Sequence, residues 1–119
     1  MKLRFIVALF ITAAVLSCGQ NYNSSTNDNG GDIGIDCTTQ AQLCTAYSAL
    51  KNNHCFECHS WSGYRTDQAW ISAGLVVKDS PLSSQLVTNL KNAGGSMPQN
   101  NSPMSSDEYD AVTTWIQNM

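Results

Sequence analysis

The chain has 119 residues, only 13% of them charged, with six basic residues against nine acidic ones and a formal net charge of −3. That length holds one domain at most. The acidic balance and the absence of a basic cluster in the sequence exclude a nucleic-acid surface built on Lys and Arg.

Residues 1–17 read as a signal peptide. Lys2 and Arg4 make a short positive start, and the apolar run over residues 5–16 is broken only by Thr12. Such a run is too short to span a bilayer and fits a secretory signal. The junction Val15-Leu16-Ser17-Cys18 resembles the lipobox of bacterial lipoproteins. The resemblance implies cleavage before Cys18, lipidation of that cysteine, and anchorage of the exported chain to a membrane. Ordinary cleavage nearby, giving a soluble periplasmic protein, is the alternative. Gly19 in place of an acidic residue points to the outer membrane, with the domain in the periplasm or at the cell surface. Removing residues 1–17 leaves four basic residues against nine acidic ones, a net charge of about −5. That charge favours a partner with a basic face.

Residues 18–36 are dominated by Asn, Ser, Gly, Asp and Thr. They have too little apolar surface to offset the entropy of ordering and read as a flexible tether. The folded domain is expected over residues 37–119, a length that builds only a marginal core and usually needs a staple.

The spacing predicts a helix over 39–53, with Leu43, Ala46, Tyr47 and Leu50 inside and Gln40, Gln42 and Lys51 toward water. Of five cysteines, Cys18 is assigned to lipid and two belong to the next motif, which leaves Cys37 and Cys44. On one continuous helix their Cα atoms would lie about 10 Å apart, beyond disulfide reach. A bridge therefore requires Cys37 to sit before the helix and fold back. Export to an oxidising compartment permits that; two free, partly buried thiols are the alternative.

The next stretch, Cys55-Phe56-Glu57-Cys58-His59, has the C-x-x-C-H spacing of c-type haem attachment. Two thiols three apart can reach the two vinyl groups on one porphyrin edge, and the following imidazole can turn under the ring onto iron. This assigns Cys55 and Cys58 as thioether anchors and His59 as the proximal ligand. A zinc site needs two more ligands, and a thioredoxin-like dithiol needs a βαβ context. Neither companion pattern is present in the sequence.

Over 60–66, Trp61 and Tyr64 are candidates to cover a haem edge and Arg65 to pair with a propionate; rim packing and a solvated charge are the plainer alternatives. A short helix is predicted over 67–73, with Thr66 as N-cap, Gly74 as stop and Trp70 in the core. Ser80-Pro81 reads as the start of another helix, buried through Leu82, Leu86 and Leu90 with Val87 alongside, and ended by Gly94-Gly95.

The sixth iron position needs a donor. His54 abuts the attachment motif and cannot easily cross to the opposite face, so the methionines remain. Met97 lies in a Gly-Gly-Ser-Met-Pro loop, where glycine lets the backbone approach a cofactor and proline fixes the exit. Met104 has another task. It precedes a capping box with Ser105 as N-cap and Glu108 three positions on, and it would be stapled against Tyr109. Met119 is terminal. Met97 is therefore assigned as the distal ligand. A last helix over 106–118 turns Tyr109, Val112, Trp115 and Ile116 to one side and is expected to pack across the first.

Residues 37–119 resemble a small class I cytochrome c domain. The matching features are the helix before CFECH, the Met97-Pro98 loop and the closing helix ending Thr-Trp-Ile-Gln-Asn-Met. The resemblance implies an all-α fold around one covalent haem c, with His59 and Met97 on iron; Gln99 departs from the Met-Pro-Pro of many relatives. It implies a lipid-tethered electron carrier that exchanges electrons with redox protein partners, has no small-molecule substrate and is not an enzyme. Should Met97 be labile, the same domain would be a small-ligand sensor or a peroxidase-like site with an open sixth position. The sequence offers no distal His/Arg pair for peroxide chemistry.

Overall fold

The computed structural model describes residues 34–119. The expected signal peptide over 1–17, the lipidation site Cys18 and the tether as far as residue 33 lie outside the described residues. Within them the backbone is helical, without a strand. It comprises α1 (Ala41–Asn52), α2 (Cys55–Cys58), α3 (Asp67–Ser72), α4 (Gln85–Thr88) and α5 (Ser106–Gln117), with 3₁₀ turns at Pro81–Ser83 and Lys91–Ala93. The all-α expectation holds at this level. None of the described helices is long and apolar enough to cross a membrane.

The two twelve-residue helices, α1 and α5, pack against each other and carry the core. On α1, Leu43, Ala46, Tyr47 and Leu50 are buried at the predicted spacing, joined by Cys44 and Ala49. The helix begins two residues later than predicted. Asp36 competes for the entering backbone: its carbonyl accepts from Gln40 N–H at 2.8 Å and its carboxylate from Thr38 N–H at 3.0 Å. Such local side-chain bonds offer the chain a turn in place of a helix. Hydrogen bonds from Thr38, foremost its hydroxyl, hold the Asp36 carboxyl below its ordinary range. The turn also carries Cys37 back over α1, where it forms a disulfide with Cys44 at a Cα separation of 5.6 Å. Ile35 is buried in the same core, so packing reaches past the boundary expected at residue 37.

At the other end of the chain, Ser105 accepts from Glu108 N–H and the Glu108 carboxylate accepts from Ser105 N–H, a reciprocal capping box that starts α5. Val112, Trp115 and Ile116 form its buried face. Between the long helices, α3 starts where Thr66 accepts from Ala69 N–H and stops before Gly74 at φ +72°. Trp70 at its centre is fully buried, with Tyr64 and Trp115 packed edge-on at 5.3 and 5.5 Å. Both buried indoles find acceptors, Trp70 on Tyr64 O and Trp115 on Asp67 Oδ1, as burial of an N–H requires.

The main departure from expectation lies between residues 80 and 95. One continuous helix is predicted there; the structure has a 3₁₀ turn, the single-turn α4 and a second 3₁₀ turn. The break is at Ser84, which is extended (φ −84°, ψ 125°) and fully buried. Its hydroxyl accepts from Val77 N–H and donates to Ser80 O, both at 2.9 Å, while Leu86 N–H bonds to Leu75 O. A helix through Ser84 would forfeit these bonds to the 75–77 link. Leu86, Val87 and Leu90 keep their predicted burial, but Leu82 is 77% exposed rather than inside.

Candidate functional site

One cavity of about 540 Å³ gathers most of the residues that the sequence singles out. Cys55, Cys58, His59 and Trp61 line it from the attachment motif, Met97 and Pro98 from the loop, and Leu75, Leu86 and Leu90 supply apolar lining between them. Asn and Gln side chains, among them Gln85, Asn89 and Gln99, complete the lining. The cavity thus joins residues 38 positions apart in sequence.

The histidine side is built outward from α1. Asn53 ends that helix by donating its side-chain amide to Ala49 O at 2.8 Å. His54 then takes φ +60°, a left-handed conformation uncommon outside glycine and asparagine, and turns the chain into α2. Its Nδ1 is 2.7 Å from Glu57 Oε1. The single turn of α2 sets Cys55 and Cys58 three apart, and His59 N–H closes it on Cys55 O. Phe56 packs on the buried Tyr47 ring at 4.6 Å. The His59 imidazole lies face to face with Trp61, 3.9 Å between centroids and 9° between planes.

Cys55 is unpaired and half-buried. Burial pushes its thiol up to about 11, so it stays protonated at neutral pH, unlike the thiolate of a reactive dithiol. The two motif cysteines are therefore not bonded to each other. Among the described residues no three His, Cys, Asp or Glu side chains gather as a metal cage.

Backbone bonds hold the methionine side. Lys91 N–H donates to Met97 O at 2.7 Å and Met97 N–H to Asn89 O at 2.9 Å, forming a short parallel bridge between Leu90 and Met97. Gly95 N–H returns to Leu90 O. A Cβ on Gly95 would meet Asn89 O at 2.2 Å, so only glycine fits this reversal. The Lys91 ammonium donates to Asn101 O at 2.7 Å and Gln99 O at 3.2 Å, tying down the segment after the cis Met97-Pro98 bond.

The rival methionines stand elsewhere. Met104 is buried, with its backbone N–H and C=O both bonded to the Asn92 side chain at 3.1 and 2.9 Å. Met119 borders a different cleft, beside Trp115. Of the suggested haem-edge residues, Trp61 lines the cavity; Tyr64 packs on Trp70 instead. Arg65 does not line the cavity either. Its guanidinium lies 5.3 Å over the Tyr47 ring and against Gly34, because the 62–66 segment folds back over α1, where Tyr47 OH donates to Ser62 O. Sequence reasoning singled out the glycines of the loop but missed Asn89, Lys91 and Asn92 as its supports. Their roles are backbone bonds and close approaches, for which Gly94-Gly95 directly before Met-Pro was the one available signal. Comparison of the chain with protein-family models, with curated proteins and with solved structures finds no match.

Proposed function

We propose that this chain is an exported, monohaem electron-transfer protein, with Cys55 and Cys58 as covalent anchors of haem c and His59 and Met97 as axial ligands. The observation that carries the reading is the convergence of all four side chains on one partly apolar cavity. A cavity of this size is in the range of cofactor sites. The donor set fits the group: two sulfurs and an imidazole from one short motif, a thioether from a separate loop, and leucine and tryptophan around them. When bound, the group supplies a one-electron ferric/ferrous couple, and His/Met ligation raises its potential.

The chain's own residues do the rest. Each thiol forms its C–S bond by adding S–H across a vinyl group, with no net oxidation or reduction. With the Met97 thioether as its donor, the loop would close the sixth position against small ligands, which favours a carrier over a sensor or peroxidase-like site. The finer fold assignment, a class I cytochrome c domain, and anchorage through lipidated Cys18 belong to the same proposal.

Covalent attachment is the test. The chain produced with a haem c maturation system is expected to gain the mass of one haem, resistant to acid–organic extraction. A Cys55→Ala/Cys58→Ala variant is expected to lose it. A wild-type chain that carries no covalent haem would overturn the reading.

A further inference from the structure

The attachment motif does not call for the stacking of Trp61 on His59, yet the chain supports that stack with several contacts. Trp61 is joined to His59 by a backbone bond from its own N–H to His59 O at 2.8 Å, and Tyr64 N–H returns to Trp61 O at 2.9 Å. Its indole meets buried Trp70 edge-on at 5.7 Å. Trp70 is fixed in turn by Tyr64 O and by the Trp115 ring. Trp115 is anchored on Asp67. A side chain on a single bond to a one-turn helix, such as His59, would otherwise be free to rotate about two torsions. Here an aromatic face at 3.9 Å and 9° selects one ring plane, and edge-to-face contacts with a core tryptophan select the plane of that face.

We propose that Trp61 is a positioning residue that sets the ring plane of His59 before and after haem attachment, with Trp70 as its buttress. The inference rests on the reading of His59 as an iron ligand. The orientation of an axial imidazole is one of the protein's levers on a haem, alongside ligand identity and burial. Removing Trp61 should therefore change the electronic signature of the site without removing either ligand.

Two variants of the full chain, Trp61→Leu and Trp61→Phe, decide it. In the haem-free chain, NMR is expected to show His59 ring protons displaced upfield by the indole ring current. Trp61→Leu should lose that displacement and Trp61→Phe should keep much of it. In the haem-loaded chain, Trp61→Leu should shift and broaden the g-values of the low-spin ferric EPR signal, while Trp61→Phe stays near wild type. Wild-type g-values in haem-loaded Trp61→Leu would overturn the positioning role and leave the proposed function standing. Failure of covalent attachment in the wild type would remove the function and this role together.

Discussion

The two sides of the cavity are held by different physics. The histidine side leans on a packed aromatic cluster: Trp61 on Trp70, Trp70 on Trp115, and Phe56 on Tyr47. The methionine side has buried Leu86, Val87 and Leu90 beneath it, but the loop itself depends on a few directed bonds, from Lys91 N–H to Met97 O, from Met97 N–H to Asn89 O and from Lys91 Nζ to the Gln99 and Asn101 carbonyls. Core packing is lost all at once, when the domain unfolds. A loop held by exposed hydrogen bonds can open locally at smaller cost. On the proposed ligation, this difference would make the histidine the fixed ligand of the pair and the methionine the one that yields first under stress.

The largest effect should come from breaking the aromatic side. Trp70→Ala removes the ring on which three others pack and is expected to cost roughly 3–5 kcal/mol, read as a lower midpoint in denaturant unfolding. Global stability and the His59–Trp61 stack should fall together. If the stack survived with the domain equally stable, the aromatic buttress would not be what holds this side.

Gly95→Ala strikes the other side. Its Cβ would overlap Asn89 backbone atoms, so the reversal before Met97 must open. Such overpacking costs about 1–3 kcal/mol, less than the tryptophan. The expected signature is loss of Met97 ligation from a domain that still unfolds cooperatively. Equal losses of ligation and global stability would mean that the two sides are one unit.

How far this difference could be read from sequence follows from the kind of force involved. The aromatic side is largely legible: apolar spacing on α1 and α5, the Thr66 and Ser105 caps and the CFECH motif are local patterns, and the sequence alone points Trp70 and Trp115 inward. The methionine side is not. Ser80-Pro81 and the Leu82–Leu86–Leu90 spacing predict a helix, but the buried Ser84 hydroxyl and the bond from Leu86 N–H to Leu75 O are tertiary and override it. Met97 was chosen over Met104 on loop chemistry and capping; Lys91, Asn92 and Gly95 act through backbone contacts that carry no periodic signal. The sequence leaves Arg65 open between a propionate partner and rim packing, because its fold-back over Tyr47 depends on long-range packing.

The smallest effect should appear at Glu108, which links the start of α5 to the end of α1. A hydrogen bond from the Asn53 side chain, against the opposing effect of burial and with further bonds from Ser105 and Asn52, holds its carboxyl below the ordinary range. A depressed folded value stabilises the native state above the unfolded pKa; that contribution is lost as pH falls through the ordinary carboxylate range toward the folded value. Thermal unfolding from pH 7 down to 3 should show part of the acid destabilisation missing in Glu108→Gln. Because the group is still partly open to solvent, the difference should be slight. An acid limb identical in the two proteins would mean that this link contributes nothing.

The most direct test of the account is the absorption spectrum of the haem-loaded chain, oxidised and reduced, for the wild type, Met97→Ala and Met104→Ala. The account predicts low-spin bands with the weak far-red methionine–ferric band in the wild type and in Met104→Ala, and loss of that band in Met97→Ala. A high-spin wild-type spectrum that responds to carbon monoxide, or a far-red band untouched by Met97→Ala, would contradict it.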